Sequence, residues 1–105
     1  MTTALDLATI QAAHARIRGL VKRTPVLTSQ RLDTAWGGLL FFKCENLQEV
    51  GAFKARGATN AVFSLTDAEA ARGVVTHSSG NHAAALARAA GLRKIPAFIV
   101  MPSNP

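Results

Sequence analysis

Residues 73–91 read Gly73-Val74-Val75-Thr76-His77-Ser78-Ser79-Gly80-Asn81-His82-Ala83-Ala84-Ala85-Leu86-Ala87-Arg88-Ala89-Ala90-Gly91, and this stretch decides the fold. Gly73 to Thr76 is a short β-branched run, the composition of a buried parallel strand. The alanine-rich run from Ala83 to Ala90 predicts a helix, with Gly91 as its stop. Between them, Ser78-Ser79-Gly80-Asn81 forms a small polar loop. A strand passing through such a loop into a helix turns free backbone N–H groups and two hydroxyls toward one space. The loop is therefore a candidate site for a carboxylate or a phosphate. Ordinary capping of the helix by Ser79 or Asn81 would use the same residues without a ligand.

Upstream stands Gly51-Ala52-Phe53-Lys54-Ala55-Arg56-Gly57-Ala58. Gly51 suits a turn, and Ala55, Ala58, Ala61, Val62 and Leu65 follow at spacings of three and four, so a helix begins close to Lys54. The positive end of a helix disfavours an ammonium, and apolar Phe53 alongside limits its solvation. Both effects favour the neutral amine, which can form a Schiff base with a carbonyl. The plainer reading is a solvated lysine at a helix end. A reactive lysine paired with an anion cradle suggests a cofactor site.

The remaining punctuation predicts an α/β chain. A first amphipathic helix is expected over residues 5–19, through Leu7, Ile10 and Ile17, and it does not read as a signal peptide. Ser29 can cap a short helix to Trp36, after which Gly37-Gly38 turn the chain into a strand from Leu39 to Cys44. Thr66-Asp67-Ala68-Glu69 has capping-box spacing, and Gly73 ends that helix. The order strand, helix, strand, helix, strand from Leu39 to Met101 predicts parallel βαβ units with both sheet faces buried and loops gathered at the strand C-termini.

Hydrophobic residues at 49% suffice for a core, no run reaches the length of a membrane span, and no export signal is present, so a cytoplasmic protein without a membrane partner is expected. The single Cys44 cannot form an internal disulfide and reads as a buried structural thiol. The net charge of +6 raises a rival class, a basic nucleic-acid-binding module, with Arg16, Arg18, Lys22 and Arg23 clustered near the first helix end. No helix-turn-helix, zinc spacing or aromatic stacking array accompanies them, and a solvated helix face is the better account, so no nucleic-acid partner is expected. His14 is expected to be partly buried on that helix, and Trp36 to pack at its helix end.

The segments Phe42-Lys43-Cys44-Glu45-Asn46-Leu47-Gln48, Gly51 to Ala58 and Val75 to His82, with Thr24-Pro25-Val26-Leu27 upstream and Ile95 to Pro102 downstream, resemble the serine racemase and serine/threonine dehydratase family. That family comprises pyridoxal-phosphate enzymes of the tryptophan-synthase β-like fold (fold type II). The resemblance implies that pyridoxal 5'-phosphate is covalent to Lys54, which later moves the substrate α-proton, with Phe53 beside it in the cofactor site. Asn81 would hydrogen-bond the cofactor's ring hydroxyl, and Ser78, Ser79, Asn81 and His82 would grip the substrate carboxylate. Ser79 would stand on the cofactor face opposite the lysine and return a proton there; many threonine ammonia-lyases carry alanine instead. Ala52 replaces a serine common among relatives. Glu49 and Val50 occupy positions that in animal racemases help form a nucleotide effector site, and their different chemistry argues against ATP activation.

The implied activity is α,β-elimination on a small hydroxy amino acid, serine or threonine first, with serine racemisation or 3-hydroxyaspartate dehydration as alternatives. At 105 residues the chain is about a third of the usual length of that fold. The resemblance thus implies a truncated N-terminal piece, with residues 1–68 in the large pyridoxal-phosphate domain and 69–105 starting the small domain. The phosphate loop, the group facing the pyridine nitrogen and any divalent-cation carboxylates are expected beyond Pro105, with no metal site among the residues in hand. The isolated piece is expected to be inactive and the full-length protein to be a homodimer.

Overall fold

The computed structural model describes residues 5–104. Helix α1 (Leu7–Ile17) starts where the Asp6 carboxylate accepts the Thr9 N–H at 2.8 Å. It is shorter than the expected 5–19 because this cap and the Arg18 terminus close it at both ends. Only Ile17 of this helix is buried; Leu7, Ile10 and His14 are exposed, contrary to the partly buried His14 expected from sequence.

Strand β1 (Val26–Leu27) leads to α2 (Gln30–Trp36), capped by Ser29 as expected and closed by Gly37 at φ 81°. Strand β2 (Phe42–Lys43) then pairs antiparallel with β1, Val26 opposite Lys43 and Leu27 opposite Phe42. The expected parallel strand from Leu39 to Cys44 is thereby corrected. The Asp33 carboxylate takes the Leu40 N–H at 2.8 Å and the Pro25 carbonyl takes the Cys44 N–H at 2.9 Å, so these amides serve a local ribbon. Trp36 is 74% exposed and Cys44 only half-buried, so neither has the packed setting expected for it. Two 3-10 turns, Glu45–Leu47 and Glu49–Gly51, carry the chain into α3 (Lys54–Ser64).

The core lies between α3 and a later helix, α5 (Asn81–Arg93). Ala58 and Val62 of α3 meet Ala85, Leu86 and Ala89 of α5; Val62 is 1% and Ala85 0% exposed. Alanines at spacings of three and four bring the two backbones close, which is why so light a sequence fills its centre. Ala61, on the expected apolar stripe, is exposed. This core draws residues from both sides of the 68/69 boundary.

Between these helices, α4 (Asp67–Ala71) has the expected reciprocal capping box of Thr66 and Glu69, and Gly73 follows at φ 81°. A Cβ on Gly73 would come within 2.7 Å of the Pro96 carbonyl oxygen, so the position requires glycine twice over. Strand β3 (Val74–His77), α5 and β4 (Ala97–Val100) form the expected parallel βαβ unit, with Val74 opposite Ala97 and His77 opposite Val100. Helix α5 runs past the expected stop at Gly91 to Arg93, and Lys94 at φ 58° supplies the left-handed turn instead. Sheet residues alternate: Val74, Thr76, Ala97 and Ile99 are half-buried, whereas Val75, Phe98 and Val100 are exposed. Among the described residues one sheet face is thus covered, where two were expected. The radius of gyration, 16.9 Å, exceeds the roughly 13 Å of a compact domain this long. No described helix is long and apolar enough to cross a membrane.

Candidate active site

Lys54 is the first residue of α3. The chain reaches it through two consecutive left-handed residues, Val50 at φ 57° and Gly51 at φ 71°. Glycine adopts this conformation freely; a β-branched valine does so at a cost of roughly 1–3 kcal/mol, a strain that persists only where the surroundings enforce it. Lys54 is exposed, with its Nζ 5.4 Å from the centroid of the Phe53 ring. Phe53 is itself 62% exposed, so it offers the amine one face and not the desolvating cover expected from sequence. Gly57, Ala58 and Ala61 lie three, four and seven residues beyond Lys54 and share its side of the helix. They line a cavity of about 570 Å³ together with Thr76 of β3 and His82 and Leu86 of α5. Lys54 itself does not line this cavity; it stands one turn ahead of Gly57 and Ala58, which do.

The loop between β3 and α5 follows the last rung of the parallel ladder, where the Ser78 N–H donates to the Val100 carbonyl at 3.0 Å. Capping falls to Ser78, and not to Ser79 or Asn81, the residues that the plain capping reading would use. Its hydroxyl accepts from the Gly80 and Ala83 N–H groups at 3.2 and 3.3 Å, because the extra residue of reach spans the unusual Gly80 backbone. The Asn81 and His82 amides head the helix, where helical geometry gives them no internal acceptor. Ser79 and Asn81 are exposed, and a Cβ on Gly80 would meet nothing within 4 Å. Of the expected site residues, His82 lines the cavity; Lys54, Phe53, Ser78, Ser79 and Asn81 do not.

A polar cluster on the other flank of α3 was not anticipated. The Arg56 guanidinium binds the Glu45 carboxylate through Nε and, at 3.1 Å, through Nη2. The Thr24 hydroxyl donates to the same carboxylate at 2.7 Å. Chiefly through the Arg56 hydrogen bond, the Glu45 carboxyl is pulled down to about 2, and the Arg56 guanidinium is raised in turn. The buried Gln48 amide clamps the Lys22 backbone, accepting its N–H at 2.8 Å and donating to its carbonyl at 2.7 Å. These partners lie 11 to 26 residues apart, beyond any helical or strand period. The only sequence signal was polar residues flanking an otherwise apolar strand and helix. The basic residues Arg18, Lys22 and Arg23 line a second cleft of about 730 Å³ with Lys43 and Arg56, while Arg16 turns away to Asn60 at 2.6 Å. Arg16, Arg18, Lys22 and Arg23 are all exposed, and of them only Arg16 lies within α1.

The site thus offers an exposed lysine amine at the head of α3 and, at the head of α5, a Ser78-capped start with open space over Gly80. Residues 17–104 match the family described as pyridoxal-phosphate dependent enzyme. The chain is 59% identical over 101 residues to a serine racemase of Oryza sativa, covering 96% of this chain and 30% of that protein. It is 64% identical over 91 residues to a beta-hydroxyaspartate dehydratase of Paracoccus denitrificans, covering 87% and 29%. The structure of maize serine racemase superposes with a TM-score of 0.89 at 57% identity, over 95% of this chain and 31% of that one. The chain thus spans about 30% of the length of the curated relatives it matches.

Proposed function

The chain belongs to the pyridoxal-phosphate dependent enzyme family and has its fold type II α/β architecture, and from that premise we propose that it supplies the N-terminal part of a dehydratase that removes water and ammonia from a small hydroxy amino acid. One observation supports the reading: Lys54 is the exposed first residue of α3, which packs against α5, whose own first residues are Asn81 and His82. Lys54 would hold the cofactor, Phe53 would flank it and Asn81 would meet its ring hydroxyl. Once bound, the cofactor supplies an electron sink for the carbanion left by α-proton loss. The Lys54 amine takes that proton as a general base. The head of α5, with Ser78, Ser79, Asn81 and His82, holds the substrate carboxylate, the charge that suits a helix N-terminus. The β-hydroxyl departs, and the enamine formed hydrolyses to a keto acid and ammonia. The substrate class includes serine, threonine and, given the Paracoccus relative, 3-hydroxyaspartate.

Ser79 favours a second reading. It is exposed and takes no part in the cap, so its hydroxyl is free to carry a proton to the face opposite Lys54, as racemisation requires. The serine racemase relatives support this alternative. The proposal includes a cytoplasmic, homodimeric full-length enzyme and an inactive 105-residue chain, on the strength of the resemblance and of the 30% coverage.

Borohydride reduction of the cofactor-loaded full-length enzyme, followed by peptide mapping, is expected to place the label on Lys54. Label on Lys22, Lys43 or Lys94 would overturn the assignment. In the same enzyme, Ser79→Ala is expected to abolish D-serine formation from L-serine while leaving keto-acid formation substantially intact. Equal loss of both, with cofactor still bound, would make Ser79 a carboxylate ligand only.

A further inference from the structure

We propose that Glu45 and Arg56 are positioning residues for Lys54: their ion pair ties the first turn of α3 to the turn after β2 and so fixes where the amine stands. The inference rests on the reading of Lys54 as the cofactor lysine. Arg56 follows Lys54 by two residues, about 200° around the helix. A helix head gripped on the Arg56 side therefore leaves Lys54 on the opposite, open side.

The grip is built from three stretches of chain. Glu45, at the start of the first 3-10 turn, takes two donors from Arg56 and a third from Thr24. The two-pronged contact sets direction as well as distance, because the guanidinium fork is planar. Thr24 is buried, and its carbonyl accepts from the Lys43 ammonium at 2.6 Å. Gln48 clamps Lys22 and caps the second 3-10 turn through the Glu49 N–H at 2.8 Å. The segments at 22–24, 43–48 and α3 thus close into a ring, and the link across it holds the left-handed Val50 and Gly51. Such a link relaxes when its tether is cut, and the helix head it carries moves with it. The chemistry is sensitive to that: a displacement near 1 Å costs about 100-fold in rate.

The test uses the full-length holoenzyme with Arg56→Met, Arg56→Lys and Glu45→Gln, read by kcat and KM separately, by the rate at which the stripped protein regains its cofactor absorbance, and by the fraction of borohydride-fixed label on Lys54. The expected result for Arg56→Met is a fall of about 100-fold in kcat with KM changed little, slower recovery of the absorbance and label spread to other lysines. Arg56→Lys keeps the charge without the fork and is expected to recover about a tenth of the unmodified rate. Circular dichroism establishes folding, and if Arg56→Met does not fold, the two milder variants decide. Variants that melt at lower temperature yet label Lys54 fully and turn over at the unmodified rate would overturn the proposal. Label away from Lys54 in the unmodified enzyme would instead overturn the active-site reading, and the proposal with it.

Discussion

From Ala52 onward the chain is held by shape, and before Ala52 it is held by chemistry. The buried residues of the later region are alanines, Val62 and Leu86, with Thr59 the one polar member. Among the described residues of the earlier region only Ile17, Thr24 and Gln48 are buried, two of them polar. The earlier region is therefore tied by Gln48 to the Lys22 backbone and by Glu45 to Thr24 and Arg56. The difference teaches where each region fails. A packed region fails when a volume changes, whatever the pH. A stapled region fails when a donor loses its acceptor or a carboxylate its charge.

The strongest way to break the packed region is Gly73→Ala. The new methyl would meet the Pro96 carbonyl oxygen at 2.7 Å, and the backbone holds φ at 81°. Left-handed strain and overpacking together cost roughly 3 kcal/mol. Urea unfolding of the full-length protein should show that loss equally at pH 5 and pH 8; a loss below about 1 kcal/mol would mean that β3 and β4 can slide apart freely.

Gln48→Ala attacks the stapled region. It strips partners from the Lys22 N–H and carbonyl and from the Glu49 N–H, around a side chain that is 3% exposed. Leaving such groups unmet costs about 2–3 kcal/mol. The unfolding midpoint should fall accordingly, and an unchanged midpoint would show that water replaces the amide and that the staple is dispensable.

The two regions were not equally legible in the sequence. Helix α3, the capping box, strand β3 and the helix after Ser78 were all readable, because each rests on local periodicity or on one capping residue. Lys54 at a helix head and the Ser78 loop at a strand end came from the same signals. The end of α5 was misplaced because Lys94, not a glycine, takes the left-handed cap. The strand at Leu39 to Cys44 was overextended because Asp33, seven residues away, captures the Leu40 amide. The Glu45, Arg56 and Gln48 staples left no periodic trace at all, since each joins residues far apart in the chain. Side-chain bonds of this kind follow from the fold and do not announce it.

Acid should sharpen the contrast. The Glu45 carboxyl, drawn down to about 2 by Arg56 and then by Thr24, binds its proton less readily folded than unfolded. Its contribution is fully present above the ordinary glutamate range near pH 4.3 and is lost as pH falls from there through about 2. Allowing for partial exposure, that contribution is about 1–2 kcal/mol. Asp6 and Glu69 shift the same way through their caps, so the informative quantity is the difference between unmodified protein and Glu45→Gln. The variant should lose stability less steeply with acid; identical slopes would mean that the pair contributes nothing.

The smallest effect is the most discriminating, because it places a polar staple inside the packed region. Helix α4 has five residues and buries only Ala70, so its start depends on the reciprocal bonds of Thr66 and Glu69. The Thr66 hydroxyl accepts the Glu69 N–H at 3.2 Å, and the Glu69 carboxylate accepts the Thr66 N–H at 2.8 Å, both in solvent. Thr66→Ala should cost about 1 kcal/mol, the usual worth of an N-cap. Water can reach the freed Glu69 amide, whereas the bonds lost in Gln48→Ala are part-buried. Polarity is the same in the two cases and burial differs, so their ratio isolates what burial adds to a hydrogen bond. Hydrogen exchange should quicken at the Glu69 and Ala70 amides in Thr66→Ala and stay unchanged at Val62 and Ala85 in the core. A loss as large as that of Gln48→Ala, or faster exchange spreading into α3 and α5, would show that α4 is a strut of the packed region and not a locally capped turn.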